Sequence, residues 1–580
     1  MAKEKWMIKN YKADFKELAK RHGIGEITAR FLVNRGLTKD SEIEAFLHPD
    51  LSGMHPPETM KDLLKTRDIL VEKIREHKKI RIIGDYDVDG VVSTFLLWKA
   101  LTTCNAEVDY QIPDRQKDGY GINIEIVKKA CEDEIDTILT CDNGISAVEQ
   151  TAYAKKNGLT ILITDHHELP ECLPKADAIV NPKQKDCTYP YSELCGAGVA
   201  YKLVQALYEI YQISGVEEYL QFTAIATVCD VMKLTGENRI IVSYGLKQLQ
   251  KTKHAGLCAL MKVNSIHPER LSAYHLGFIL GPCLNATGRL DSALKGVELL
   301  SCEDETMAGE LASQLKHLND IRKEMTTQGV EQAIVLAESK ERKQDKVLLL
   351  YLPKCHESLA GIIAGRLREK YNHPTIVLTH AKDYIKGSGR SIERYSMFEE
   401  LVKCKQYLLK FGGHPMAAGL SLREEKIEPF RNALNENCTL TEEDFVVKVS
   451  IDIVLALSGI TKEMIQELSI LEPFGRGNEK PIFADKGLKI RRLSLVGRTT
   501  QYAKLVIEDR FGCRMNAIYF GDSEQFLKEL ESFYGEEEVR KMFQGRGEKA
   551  SLSVIYYPSI NEYQNRESLQ IIIEHYQIEA

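Results

Sequence analysis

Four short segments of this 580-residue chain carry acidic and histidine side chains at spacings that could gather divalent cations. Asp85-Tyr86-Asp87-Val88-Asp89-Gly90 follows the apolar stretch 79–84. Asp142-Asn143-Gly144 closes a second apolar stretch, and Asp165-His166-His167 closes a third. Asp230 stands within Thr227-Val228-Cys229-Asp230-Val231. In a parallel sheet, the carboxyl ends of the strands converge on a crevice where the strand order reverses. Segments distant in sequence are therefore expected to meet there. Carboxylates with an imidazole suit Mn²⁺ or Mg²⁺. About five carboxylates packed together would repel one another severely unless cations neutralised them. Two such ions roughly 3.5–4 Å apart can activate a water and stabilise the leaving oxygen of a phosphodiester.

Simpler readings exist for each piece. Asp85 to Gly90 also matches the opening of an EF-hand loop, but position 12 of that loop requires Glu and the chain has Leu96. The stretch before it reads as a strand, where an EF-hand needs a helix. Asp142 alone could be the N-cap of a helix starting at Ile145. His166 and His167 alone could be surface histidines. The combination of four segments is what points to a metal centre.

A second motif, Lys386-Gly387-Ser388-Gly389-Arg390-Ser391, interleaves glycine with Ser and Arg. It reads as a Gly-rich turn. Glycine would let backbone amides approach a phosphate, and Arg would supply a two-pronged donor.

The elements that must position these residues follow from periodicity. Strands are expected at 79–84, 106–112, 135–141 and 159–164, with helices at 91–103, 122–132 and 145–157. Such alternation implies a parallel sheet covered on both faces. Ala308, Leu311, Leu315, Leu318 and Met325 form one apolar stripe, expected on a connecting helix. A second α/β unit is expected from Lys346, with strands at 347–352, 375–379 and 418–422. Beyond about 445, short strands near 446–453, 488–496, 502–508, 514–520, 551–557 and 569–573 suggest a small OB-type barrel. Arg491, Arg492, Arg498 and Lys504, with Tyr502 and Tyr519, are its candidates for gripping a single strand.

Bulk properties set limits. The length implies three or four domains. A net charge of −7 argues against broad coating of nucleic acid but leaves room for a local basic groove. The 14 cysteines include no CxxC pair, as expected of reduced thiols in a cytoplasmic protein. No apolar run approaches the roughly 20 residues of a membrane span, and the N-terminus does not read as a signal peptide.

These residues together resemble the DHH phosphoesterase family, and within it the RecJ branch. The family motif is Asp165-His166-His167. Further matching segments are Asn34-Arg35-Gly36, Pro113-Asp114-Arg115, Gly119-Tyr120-Gly121, Gly196-Ala197-Gly198-Val199-Ala200 and Gly236-Glu237-Asn238-Arg239. Asn285-Ala286-Thr287-Gly288-Arg289, Gly412-Gly413-His414 and Glu472-Pro473-Phe474-Gly475-Arg476-Gly477-Asn478 complete the pattern.

The resemblance implies an α/β fold. A parallel-sheet DHH domain (61–300) would follow an N-terminal helical segment (1–60). A connecting helix (301–345), a DHHA1-like α/β domain (346–440) and an OB-fold barrel (445–580) would come after. It implies that Asp85, Asp87, Asp89, Asp142, His166 and Asp230 bind two Mn²⁺ or Mg²⁺ ions, with Asp142 bridging them. Asp142, His166 and His167 would serve catalysis. Arg115, Arg289, Ser388, Gly389, Arg390 and His414 would contact substrate phosphates. The implied activity is 5′→3′ exonucleolytic release of 5′-mononucleotides from single-stranded DNA in repair and recombination. A RecQ-type helicase and a single-stranded-DNA-binding protein are the implied partners. The alternatives are a phosphodiesterase for oligoribonucleotides or cyclic dinucleotides, and a non-catalytic DHH scaffold. Cys283 and Cys355 depart from the family pattern, which usually has Arg and Trp near these points, and the departures bear on contacts in the substrate groove.

Overall fold

The computed structural model describes residues 4–115, 117–119, 121–381, 384–497, 500–563 and 566–579. The chain forms two compact units. One is built mainly from residues 51–447, and the other joins residues 5–50 to 448–580. None of the helices among the described residues is long and apolar enough to cross a membrane.

The first unit begins with a five-stranded parallel sheet. Its strands are β1 (Ile80–Ile83), β2 (Val108–Gln111), β3 (Thr137–Cys141), β4 (Thr160–Thr164) and β5 (Ala178–Val180), in the order β2-β1-β3-β4-β5. The central strands, such as Thr137-Ile138-Leu139-Thr140-Cys141, are buried along their length because helices cover both faces. Helix α1 (Val88–Thr103) follows β1 and is buried at twelve of its positions. The order reverses between β1 and β3, so the crevice opens at their carboxyl ends. Asp85, Asp142 and Asp165 stand just past the ends of β1, β3 and β4. Two more helices wall this end: α2 (Gly196–Tyr211) and α3 (Leu220–Cys229), the latter ending at Asp230.

Helix α4 (Glu305–Ala337) runs for 33 residues, about 50 Å. The Asp304 carboxylate caps it by accepting the Met307 amide at 2.7 Å. Of the expected apolar stripe, Ala308 and Leu315 are buried, and most other buried positions of the helix are small or polar: Ala312, Asn319, Thr326, Gly329, Ala333 and Ala337. Small side chains let neighbouring elements approach this long helix closely. A Cβ at Gly329 would lie 2.5 Å from Ile363 Cδ1.

The second sheet of this unit contains β6 (Leu348–Tyr351), β7 (Thr375–His380), β8 (Ile385–Arg390), β9 (Leu408–His414) and β10 (Ala417–Leu422), ordered β9-β10-β8-β7-β6. Only β6 and β7 run parallel. Helix α5 (Ala360–Tyr371) packs against β7 and β8.

One expectation is corrected here. Residues 386–391 are not a Gly-rich turn: 385–390 form the central strand β8, paired antiparallel to β10 on one side and β7 on the other. Strand alternation explains the composition. Gly387 and Gly389 face a layer of Leu378, Leu420 and Met397, where a Cβ would lie 2.5 Å from Leu378 and 3.0 Å from Met397. Lys386, Ser388 and Arg390 take the other face. The backbone here serves the sheet, so side chains must do the binding.

In the second unit, β11 (Phe483–Val496), β12 (Tyr502–Glu508), β13 (Arg514–Tyr519), β14 (Ser551–Tyr563) and β15 (Arg566–Glu579) close into a barrel, with β14 pairing back onto β11. The last two strands are longer than their apolar cores implied. Two helices, Ser523–Tyr534 and Glu536–Phe543, separate β13 from β14. Phe31, Leu32, Phe46 and Leu47, from the beginning of the chain, share this barrel's hydrophobic core. Phe31 meets Phe483 edge-on at 5.3 Å. The Arg35 guanidinium donates to Asn478 Oδ1 at 2.7 Å, which joins two of the motif segments found in sequence.

Candidate active site

Asp85, Asp89, Asp142 and His166 are all buried at the crevice, with Asp87, His167 and Asp230 at its edge. The four acidic segments therefore converge. The His166 Nε2 atom lies 3.1 Å from Asp142 Oδ1, 3.6 Å from Asp89 Oδ2 and 3.7 Å from Asp230 Oδ2. His167 Nδ1 lies 4.0 Å from Asp142 Oδ1. Ligand atoms of Asp85, Asp87 and Asp142 come within 4.8 Å of one another, as do those of Asp89, His166 and Asp230, and those of Asp142, His166 and His167. Asp142 is the member that connects the first set with the histidines.

Local structure holds these groups in place. Asp142 adopts a left-handed φ of 60°, a strained geometry that Asp tolerates better than most residues. Asn143 Nδ2 fastens the turn by donating to the carbonyls of Ile83 and Cys141 at 3.0 and 2.9 Å. Both oxygens of Asp89 accept backbone amides at the start of α2, from Gly196 at 2.6 Å and Ala197 at 2.7 Å. Gly196 is required there, since a Cβ would lie 2.7 Å from the Asp142 Cβ. Asp87 caps α1 by accepting the Gly90 amide at 3.1 Å.

Burial and like-charge crowding dominate the electrostatics of this pocket. Burial, and then the charge of Asp87, push Asp85 well above the usual carboxylate range. Burial and the charges of Asp89, Asp87, Asp85 and Asp230 do the same to Asp142. Asp230 is pushed up to about 8 by burial, then by Asp89 and Asp87. Burial lowers His166, which keeps the imidazole neutral and able to ligate. Among the described residues, Asp85 Oδ1 and His166 Nδ1 are buried without hydrogen-bond partners. Oxygen donors with a neutral imidazole, including unsatisfied buried atoms, fit divalent cations such as Mn²⁺ or Mg²⁺.

A cleft of about 920 Å³ lies alongside. Arg115, Arg289, Lys386, Ser388 and Arg390 line it. The Arg115 guanidinium sits 4.8 Å from the ring centre of Tyr86, the residue between Asp85 and Asp87. Arg289 donates to the Ser358 carbonyl at 2.7 Å, and Arg390 to the Gly389 carbonyl at 2.8 Å. Burial, then the charges of Arg115 and Arg322, pull Arg289 down to about 10. Burial, then Arg115 and Arg368, pull Arg390 down. Cations forced together under desolvation make a binding site for an anion. Gly389 turns to the opposite face of its strand, against Met397, and serves as a spacer. His414 is exposed at the end of β9. It adds to the hydrogen bond from Lys183, the dominant influence, in holding the Glu168 carboxyl low.

The DHH family N-terminal domain model matches residues 79–227, the DHHA1 domain model 344–439 and the RecJ OB domain model 451–575. The chain is 35% identical over 578 residues to the single-stranded-DNA-specific exonuclease RecJ of Bacillus subtilis, covering 99% of this chain and 71% of that protein. It is 34% identical to the Escherichia coli RecJ, covering 94% of each. The chain belongs to the RecJ family. The crystal structure of RecJ in complex with Mn²⁺ from Thermus thermophilus shares its fold, with a TM-score of 0.82 at 24% identity over 99% of this chain and 80% of that one. An exonuclease RecJ bound to manganese matches 68% of this chain and all of its own, at 29% identity and a TM-score of 0.60.

Within this RecJ-family site, some contributors were not singled out by sequence reasoning. Asp165 was read only as the first letter of its motif. It organises the segment by accepting the amides of Ile145, His166 and His167 and the Nδ1 of His167 at 2.7 Å. Against its burial, the bond from His167 keeps Asp165 low. Against the burial of His167, the same bond lifts that imidazole to about 9. The available signal was an Asp closing an apolar strand-length run directly before two histidines. The amides of Gly196 and Ala197 were also missed; their signal was a Gly-Ala-Gly start to an apolar helix.

The two departures from the family pattern sit outside the cleft wall. The Cys283 thiol is buried between Asn264 and Asn319, and Cys355 is near Gly329 of α4.

The barrel differs from expectation at two candidates. Tyr519 is a core residue packed on Phe526 and Tyr576, so its face is not free for a base. Arg491 is engaged by Glu508 at 2.7 Å, which also takes Arg514 at 2.6 Å. Tyr502 remains half-buried, edge-on to the exposed Phe520 at 5.0 Å. Arg498, like Tyr120 of the Gly-Tyr-Gly motif, lies outside the described residues.

Proposed function

We propose that this chain is a metal-dependent exonuclease that degrades single-stranded DNA from the 5′ end and releases 5′-mononucleotides. One observation carries the reading: Tyr86, flanked by two carboxylates of the acidic crevice, lies under an arginine of the cationic cleft. A strand end gripped in the cleft would bring its first phosphodiester to the carboxylates.

In this reading Asp85, Asp87, Asp89, Asp142, His166 and Asp230 would hold two divalent ions. When bound, the ions lower the pKa of a coordinated water and offset charge at the scissile phosphate. Arg115, Arg289, Ser388 and Arg390 anchor the terminal phosphate, and this anchoring lets the enzyme count from the end. Gly389 contributes as a spacer, and His414 acts from the end of β9, near Glu168. His167, protonated near neutral pH through its bond to Asp165, can give a proton to the departing oxygen.

The work is divided along the chain. Residues 61–300 carry the chemistry, 301–345 connect and 346–440 grip the end. Residues 445–580 hold the strand. A cytoplasmic role in repair and recombination beside a RecQ-type helicase and a single-stranded-DNA-binding protein belongs to the same proposal.

The test is digestion of 5′-phosphorylated oligonucleotides of several lengths, DNA against RNA, with Mn²⁺, Mg²⁺ or EDTA. Mononucleotides from DNA, lost in EDTA and restored by either ion, are expected. Full activity without metal would sink the mechanism. A preference for short RNA would favour the oligoribonuclease alternative, and inertness towards every substrate the scaffold one.

A further inference from the structure

Two large aromatic side chains stand in solvent beside the arginine-lined cleft. Tyr274 is 57% exposed, and Phe278, one helical turn on, is 67% exposed. Their rings lie 5.1 Å apart with planes inclined by 23°, so they form one stacked surface. Phe278 is itself part of the cleft wall that includes Arg115, Arg289 and Arg390. Rings so exposed leave most of their apolar area outside any core, and that area is available to a ligand.

The backbone beneath them is unusual. Leu276–Leu280 form a π-helical turn, a geometry that occurs frequently at functional sites. The turn is seated on α3. A Cβ at Gly277 would lie 3.2 Å from Val228, and one at Gly281 would lie 2.2 Å from Cys229 Sγ. Cys229 Sγ also meets the Leu276 carbonyl oxygen at 3.5 Å. The next residue after Cys229 is Asp230. The aromatic pair is therefore held at a fixed position relative to a carboxylate of the acidic crevice.

Resting on the nuclease reading above, we propose that Tyr274 and Phe278 form a stacking platform for the nucleobases of the strand whose end sits in the cleft. The arginines hold charge and the rings offer a π face, the two features that recur where single strands are gripped without regard to sequence. Every base can stack, so the platform tolerates any sequence. Because it is fixed on α3, it also sets the register of the strand against the carboxylates.

The experiment compares the wild type with Phe278→Ala, Tyr274→Ala, Phe278→Leu and Phe278→Trp, each checked by thermal melting. The substrates are a 5′-phosphorylated oligodeoxynucleotide and versions carrying an abasic nucleotide at each position near the 5′ end in turn. An abasic nucleotide at one or two positions should raise the wild-type KM about 5- to 100-fold. Phe278→Ala should raise KM for the intact strand to a similar extent, leave kcat nearly unchanged and erase the abasic penalty. Trp should restore the wild-type pattern, and Leu should not. With Ca²⁺ replacing the catalytic ion, 2-aminopurine at the sensitive position should be quenched on binding the wild type but not Phe278→Ala. An unchanged KM in Phe278→Ala, or full rescue by Leu, would overturn the platform. A wild type that degrades no single strand would instead strike the nuclease reading. The fluorescence arm needs no turnover, so the two failures stay distinct.

Discussion

The two sheets of the larger unit place opposite surpluses of charge side by side. At the ends of β1, β3 and α3, the carboxylates of Asp85, Asp142 and Asp230 crowd until they resist ionisation. In the cleft lined by Lys386, Ser388 and Arg390, guanidinium groups crowd until burial and mutual repulsion weaken their hold on protons. Neither arrangement favours the empty protein. In the proposed reading divalent cations would relieve the acidic side and a phosphate the basic side, and a metal-loaded strand end would supply both. The backbone is used differently too. At the acidic crevice, amides of Gly196 and Ala197 orient a functional side chain. At β8, the backbone is consumed by the sheet and the side chains work unaided.

The sharpest way to break this comparison is at Asp142. Asp142→Ala should lower turnover by about 10³ or more, because it removes the carboxylate common to two of the ligand sets. It should cost more than His167→Ala. The fold should persist, since one of several like charges is lost. Calorimetry should show impaired Mn²⁺ binding, and near-normal turnover at saturating Mn²⁺ would remove Asp142 from the centre.

The matching test on the basic side is Arg390→Ala. A charge-assisted contact is worth roughly 1.5–3 kcal/mol, or about 10- to 150-fold. The loss should fall on 5′-phosphorylated DNA far more than on 5′-hydroxyl DNA, while calorimetric metal affinity stays unchanged. Equal slowing of both substrates would show that Arg390 does not hold the end. If a 3′-phosphate proved decisive, the polarity would be reversed.

Asp165→Asn probes how far the acidic side depends on its support. The amides it holds would lose a charged acceptor, and His167 would face a neutral acceptor in place of the carboxylate that favours its protonated form. Metal affinity or turnover should fall about 10- to 100-fold. The activity profile should shift to lower pH on its alkaline side, because His167 would lose its proton earlier.

The smallest expected effect is on stability. Asp85, Asp89, Asp142 and Asp230 have raised pKa values without metal. Each such group contributes stability that is complete below its unfolded value near 4 and is lost as pH climbs through its folded value, about 8 for Asp230. His167, at about 9, acts in the same sense above roughly 6.5. The metal-free protein should therefore melt a few degrees lower at about pH 9 than at about pH 6. Saturating Mn²⁺ should flatten or reverse that slope, because the ligands bind the ion deprotonated. A slope unaffected by metal would place these carboxylates elsewhere.

Much of the acidic centre was legible because strand-length apolar runs ending in Asp are a local signal, and parallel topology does the gathering. The other side was harder to read. Gly387 and Gly389 signal a turn in isolation; only their neighbours Leu378, Leu420 and Met397 show that they make room within a sheet. Tyr519 and Tyr502 look alike in sequence, and the barrel's closure buries one while leaving the other at the surface. The sharing of a core by Phe31 and Phe483 links residues more than 400 positions apart, which no local pattern reports.

Asp89 has a consequence for handling the protein. Its carboxylate is pinned by two amides at the mouth of α2, so its rotational freedom is spent during folding. The Asp89 carboxylate is thus already ordered for an arriving ion, and the two amides still hold it when the ion leaves. Chelation and reloading should thus behave as a reversible exchange on a standing frame, and Mn²⁺ and Mg²⁺ should be interchangeable in the same preparation without a refolding step.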